Sequence, residues 1–380
     1  KPINEIPGQV PETEEEEAVW QVGIAHQEEV RGGQELVNNA QLEQYLEGIV
    51  ARLMGDMVET IGLEVDVLVF REPTVNAWVY PNGTVAVQTG MLAAMDNEAQ
   101  LAAILGHEVS HFLNRHAFIQ IKSKQTQSAI GKGLGALAAI AVAVETGTIA
   151  TGLLDSGQIW TDLVTSGYSR KLETQADEQG LALMISAGYP PEEALPAFEE
   201  LRIDEDDEIN VKKVWSSHPD IDARKKNLKK RIKKAEVQGN NAGLDGAAYL
   251  RAVQLGVLAN SQLLVQNREF ERAIADLQRF TAAITDEPTG FFLLGEAYRK
   301  RNPEGDYEQR TAAYKEALAV DDTFAAAWRE LGMAYRQQKL FADAEAAFNR
   351  YLALDPGAAD APIITWYRDS LGATAMNAAQ

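Results

Sequence analysis

The stretch LGHEVSHFLNRH, Leu105 to His116, carries three of the five histidines in a chain of 380 residues. Upstream of it, Asp96 and Asn97 are helix-starting residues, and Leu101, Ile104 and Leu105 recur at helical spacing. The stretch therefore lies on a long helix. Residues four apart on a helix differ by about 40° in direction, so His107 and His111 point the same way, one turn apart. Two neutral imidazoles so placed can share one zinc ion. Glu108 projects beside them, close enough to take a proton from a metal-bound water. The competing reading is a histidine pair packed into a helix interface, because His-Glu-x-x-His also arises by chance. His116 falls nine residues from His107, on the opposite side of the same helix, and is read as structural. His26 belongs to no motif.

A third ligand strengthens the metal reading, and ETQAD, Glu173 to Asp177, offers one. Glu173 and Asp177 are again one helical turn apart. Glu173 can complete a set of two histidines and one glutamate, with a position left open for water. Asp177 can accept the outer N–H of a liganding histidine and fix its tautomer. A solvated acidic face is the alternative. Ala176 and the apolar LALMI that follows favour a buried helix instead. A carboxylate pair in a buried helix needs cationic or metal partners, since uncompensated burial is costly.

Around these two helices the chain is mixed. EVDVLVF, Glu64 to Phe70, alternates and is β-branched, as a strand does. PNG, Pro81 to Gly83, marks a tight turn into a second strand, TVAVQTG. Val85, Ala86 and Val87 within it form a candidate sheet edge on which an extended substrate pairs. The acidic run ETEEEE, Glu12 to Glu17, reads as a solvated first turn opening a helical pattern that continues through Tyr45, Leu46, Ile49, Val50 and Leu53. From Ala129 to Leu154 the chain is apolar, but Lys132 and Glu145 bracket only GLGALAAIAVAV. That is short of the about 20 residues a membrane span needs, so we expect a buried or surface-docked helical hairpin. The basic stretch ARKKNLKKRIKKAE follows Asp220 and reads as a solvated helix closing the first domain; peripheral contact with an anionic membrane surface is the alternative.

GNNAGLDG, Gly239 to Gly246, is the best linker in the chain. It divides residues 1–238 from an all-α region, residues 247–380. There Trp328, Leu331, Gly332, Tyr335, Ala344, Phe348 and Pro356 follow the tetratricopeptide (TPR) pattern. Phe291, Leu294, Gly295, Tyr298, Tyr314 and Leu318 give an earlier repeat, with extra residues around Asn302-Pro303. Phe270, Ala273 and Leu277 match the second helix of a weaker one, and a helix over residues 362–371 would cap the array. The glycine lets paired helices approach closely, and the aromatics fill the groove between them.

Composition narrows the function. A net charge of −21 leaves nothing to neutralise phosphates overall, so we expect no nucleic-acid partner. The absence of cysteine excludes disulfides and thiolate metal sites, and suits an exported protein. The chain begins at Lys1 without an apolar signal core, as after removal of a signal peptide or trimming.

HEVSH, ETQAD, the upstream NAWVYPNGTVAVQTGML and the later SSHPD together resemble the zinc metallopeptidases that include HtpX and the CAAX prenyl proteases. The resemblance runs from about Glu16 to Lys234. With repeats behind it, the chain is most similar to the periplasmic BepA-type members, which act on outer-membrane protein assembly. The resemblance implies a mostly α domain with a small β-sheet, of the α+β gluzincin type, followed by a TPR superhelix. It implies one zinc, with His107, His111 and Glu173 as ligands and Glu108 as catalytic base. It implies endopeptidase activity on unfolded or misassembled proteins in the periplasm, with outer-membrane assembly machinery as a partner of the repeats. The extra spans of the integral-membrane members are missing, so a farnesylated membrane substrate is not expected. His218, in SSHPD, lies near the metal in such proteins. It would either occupy the fourth zinc position as a latch or donate a hydrogen bond to the oxyanion; a turn histidine before Pro219 is the third reading. Arg224 would anchor that loop through a carboxylate. The competing class is a repeat-based chaperone or assembly factor whose zinc site is latent or structural.

Overall fold

The computed structural model describes residues 11–128, 167–201, 221–235, 242–302 and 304–378. The chain divides into two compact units, Lys1–Gly256 and Val257–Gln380.

In the first unit the acidic run opens helix α1 (Glu14–Gly32), capped by the Thr13 side chain. The helical pattern that follows is interrupted. Gly32 and Gly33 end α1, and residues 35–37 run extended beside a strand before α2 (Ala40–Met54) begins. After α3 (Met57–Ile61) come three strands, β1 (Val67–Phe70), β2 (Ala77–Val79) and β3 (Val85–Gln88). Their order is β1-β3-β2, with β1 parallel and β2 antiparallel to β3.

This order corrects one expectation. Val85, Ala86 and Val87 lie in the central strand, with Val85 opposite both Val67 and Val79. Their main-chain groups are used on both sides, so they offer no edge to a substrate. The outer side of β1 is also taken: Leu36 bridges Phe70, and Val37 donates to the carbonyl of Val69 at 2.8 Å. Strand β2 is the sheet margin that no other described strand pairs.

Beyond β3 lie α4 (Thr89–Ala94) and α5 (Glu98–Leu113), the latter capped by the Asn97 side chain accepting from the amide of Gln100. Every residue of α5 from Ala99 to Leu113 is buried, because α2, β2 and two later helices pack around it. The apolar residues that dominate this helix suit such a position, and the polar side chains buried with them include His107, Glu108 and His111. The later elements are α6 (His116–Ser128), α7 (Arg170–Ser186), a short 3-10 turn, α8 (Ala194–Glu200), α9 (Ile221–Ala235) and α10 (Gly246–Ala252). None of the described helices is long and apolar enough to cross a membrane. The apolar stretch 129–154 lies outside the described residues, as does His218.

The described part of the expected linker does not act as a spacer. Gly243 accepts from the amide of Ala99 at 3.1 Å. Tyr249 on α10 is buried and donates to the carbonyl of Leu92 at 2.9 Å. Residues 242–252 thus pack on the first unit, and the division falls at Gly256 and not at Gly246.

The second unit is a run of antiparallel helices, beginning within α11 (Gln254–Gln266) and continuing as α12 (Phe270–Ala283), α13 (Pro288–Arg301), α14 (Tyr307–Val320), α15 (Ala325–Gln337) and α16 (Phe341–Leu354). A longer α17 (Ala361–Ala378) follows. The repeat glycines work as their pattern implies. A Cβ on Gly295 would lie 2.4 Å from the Tyr314 ring, and one on Gly332 would lie 2.6 Å from the Phe348 ring. Only a residue without a side chain lets these helix pairs close.

Candidate metal centre

Two helices build the site. Helices α5 and α7 cross with Gly106 against Gly180, where a Cβ on Gly180 would stand 2.8 Å from the amide nitrogen of His107. This near-backbone contact brings Glu173, two turns earlier on α7, level with the histidine pair. The expected ligands converge. His107 Nε2 and His111 Nε2 are 3.0 Å apart. Glu173 Oε2 lies 3.6 Å from the first and its Oε1 lies 3.5 Å from the second. All three residues are fully buried. Tetrahedral zinc with bonds of about 2.0–2.1 Å sets its ligand atoms about 3.3 Å apart, so the triangle has the size zinc requires.

The proton arrangement points the same way. Asp177 Oδ1 lies 3.0 Å from His107 Nδ1, so that nitrogen carries the proton and Nε2 presents a bare lone pair. Burial alone would raise the Asp177 carboxyl, but hydrogen bonds from His107 and Arg224 outweigh it and hold it at about 2. A bare imidazole nitrogen facing a second imidazole nitrogen and a buried carboxylate is a repulsive arrangement without a cation at its centre. The residues fit zinc.

Arg224, buried on α9, reaches into the site, while the loop it was expected to anchor lies outside the described residues. Its Nε and Nη2 grip Asp177 at 3.0 and 2.7 Å, and its Nη1 reaches Glu173 at 2.8 Å. Nη2 is 3.2 Å from both ring nitrogens of His107, so it lies on neither lone pair, and the ligand nitrogen stays available. The guanidinium is backed by the Phe198 ring, 5.0 Å away. Its charge is what allows two carboxylates to sit buried beside one another.

Glu108 is buried on α5 between the two histidines in sequence. The Tyr168 ring stacks on His111 with centroids 3.9 Å apart and planes at 18°. Burial, reinforced by the charges of Glu108 and Glu173, raises its phenol above the ordinary range. Nothing in the spacing of the motifs marks Tyr168.

Two further residues depart from the sequence reading. Helix α5 stops at Leu113, and Arg115 adopts φ 56°, so His116 begins a new helix instead of continuing the old one. It is therefore not on the far side: it is wholly buried, with Nδ1 2.9 Å from His111 Nδ1. Burial pushes its imidazole down to about 4. Glu16, in the supposedly solvated acidic run, is buried and pairs with Arg115 Nη1 at 2.7 Å. The sequence signal for His116 was Asn114, a helix-ending residue between the motif and His116; for Glu16 it was the Thr13-x-x-Glu16 spacing at the start of α1.

A largely helical domain that gathers two imidazoles and a carboxylate around one point, beside a second glutamate, defines a candidate metal-dependent hydrolase. The chain belongs to peptidase family M48, whose profile matches residues 40–232, just over half of the chain. A tetratricopeptide repeat profile matches residues 304–359. Among curated proteins the chain is similar to the beta-barrel assembly-enhancing protease of Escherichia coli K12, at 26% identity over 49% of this chain and 37% of that protein. It is similar to the mitochondrial metalloendopeptidase OMA1 of Schizosaccharomyces pombe, at 32% identity over 49% of this chain and 51% of that protein. It is also similar to the metalloprotease YcaL of Escherichia coli K12, at 25% identity over 48% of this chain and 67% of that protein. The match to the assembly-enhancing protease thus spans well under half of that relative's length.

Proposed function

We propose that the chain is a zinc-dependent endopeptidase acting on unfolded or misassembled proteins. The observation that carries the reading is the convergence of His107, His111 and Glu173 to mutual distances of 3.0–3.6 Å beside a buried Glu108. Zinc, when bound, supplies Lewis acidity at the scissile carbonyl and lowers the pKa of the attacking water toward ~7. Glu108 takes the water proton and returns it to the leaving amine. Asp177, held by Arg224, keeps the His107 lone pair directed inward. Strand β2 takes the substrate-pairing role first given to β3. Val79 at its end lines a small cavity together with His111 and Tyr168, so a peptide paired along that margin runs toward the metal. His218, just before α9 in sequence, is proposed as the residue that latches the fourth metal position or binds the oxyanion.

The repeats support a partner-binding role, since stacked helix pairs commonly bind extended polypeptides. The name of the assembly-enhancing relatives supports a role in β-barrel protein assembly. With the motif resemblance, it is the ground on which we place the chain in periplasmic envelope quality control with an outer-membrane assembly partner. The test is Glu108→Gln in the full chain. One zinc per chain should be retained while casein hydrolysis is lost, because the residue is a base and not a ligand. Unchanged hydrolysis overturns the mechanism. A wild-type chain that holds zinc firmly and cleaves nothing favours an assembly factor with a latent site.

A further inference from the structure

His116 belongs to no part of the metal motif, yet it backs the second imidazole of the triad. Its ring and that of His111 have centroids 4.9 Å apart and planes at 74°, with the two Nδ1 atoms 2.9 Å apart. Two ring nitrogens at that distance share one proton, so one donates and the other accepts. The amides beyond His116 set the direction. Asn114 donates from Nδ2 to the carbonyl of Ser110 at 2.7 Å, which leaves its Oδ1 to accept from Gln175 Nε2, also at 2.7 Å. Gln175 therefore turns its Oε1, an acceptor, toward His116 Nε2 at 3.4 Å. His116 carries its proton on Nε2 and accepts at Nδ1. His111 donates its Nδ1–H, and its Nε2 lone pair faces His107 and Glu173.

We propose that His116 is a positioning residue for the metal centre, fixing the tautomer and ring angle of His111. The role rests on the metal-centre reading above. Such a role usually falls to a carboxylate, carbonyl or water. Here the charge count favours a neutral acceptor. The two charges of zinc and the one of Arg224 balance Glu108, Glu173 and Asp177, and a carboxylate in place of His116 would leave a buried excess of one negative charge. The backbone is bent to deliver it. An unbroken helix would carry His116 away from His111, and the chain instead turns through Arg115 at φ 56°, in the left-handed region that a bulky residue seldom adopts. Arg115 is held there by Glu16 at 2.7 Å and Glu12 at 3.1 Å, so the first turn of α1 and the segment just before it clamp the turn from outside the motif.

The test is titration of the metal-free full chain with zinc against a chromogenic chelator, alongside the absorption spectrum of the cobalt-substituted protein. His116→Leu should weaken zinc binding by about 10–100-fold and alter the cobalt bands. His116→Asn keeps an acceptor near the Nδ1 position and should restore most of the affinity. His116→Gln, whose acceptor lies at the far end, should not. Should the leucine variant fold poorly, the ranking of Asn above Gln decides the matter. Equal zinc affinity in wild type and all three variants overturns the positioning role alone. A wild-type chain that binds neither zinc nor cobalt overturns the metal centre and this role together.

Discussion

At the residue scale, the site depends on what is missing from two side chains. Gly106 and Gly180 let α5 and α7 touch backbone to backbone, and a Cβ on Gly180 would meet the amide nitrogen of His107 and the carbonyl carbon of Gly106 at 2.8 and 2.9 Å. Backbone on both sides leaves nothing to rotate aside. We expect Gly180→Ala to cost about 1–3 kcal/mol in urea unfolding and to weaken zinc binding, by pushing Glu173 away from the histidine pair. A variant as stable as wild type, with unchanged zinc affinity, would show that the close crossing is not what sets the triangle. The two pairs, His107 with His111 and Glu173 with Asp177, were legible in the sequence, because a spacing of four on a helix is local geometry. That the pairs meet depends on the crossing of α5 and α7. His116 was not. Its placement follows from a helix ending at Leu113 and a left-handed Arg115, and the latter is held by Glu16, about a hundred residues away. No local pattern carries a contact of that kind.

At the scale of elements, the strands were legible and their order was not. EVDVLVF and TVAVQTG announce themselves by β-branched alternation, but the same alternation suits a central or a marginal strand. The parallel pairing of β1 with β3 places β2 outside, and residues 35–37 then cover β1 because the helical pattern breaks at Gly32-Gly33. Within β2 the ladder uses alternate residues. Gln88 donates to the carbonyl of Asn76, and Tyr80 donates to that of Thr84. Ala77 and Val79 therefore turn their main-chain groups away from β3. Val79→Pro removes an outward N–H while sparing the ladder. It should lower kcat/KM for an unfolded protein substrate by about tenfold, the effect of one lost hydrogen bond of about 1.4 kcal/mol, and leave zinc affinity intact. If turnover is unaffected, substrate does not pair along β2.

At the scale of the whole molecule, the division into a metal-binding unit and a helical repeat was readable, while its position was not. The repeat glycines opposite aromatic rings, Gly295 with Tyr314 and Gly332 with Phe348, are a periodic signal that survives without knowledge of tertiary structure. The linker was misplaced because its glycines and asparagines resemble a spacer, whereas Gly243 is needed at φ 75° to pass close to Tyr189 and Ala99. Metal binding is the property that every role assigned to these side chains shares. X-ray absorption at the zinc edge of the loaded full chain measures its ligands directly. We expect one zinc per chain, two imidazole nitrogens and carboxylate oxygen at about 2.0–2.2 Å, with the ordered site lost in Glu173→Ala. A spectrum of oxygen ligands without imidazole, or one unchanged in Glu173→Ala, would contradict the assignment of His107, His111 and Glu173 as the metal centre.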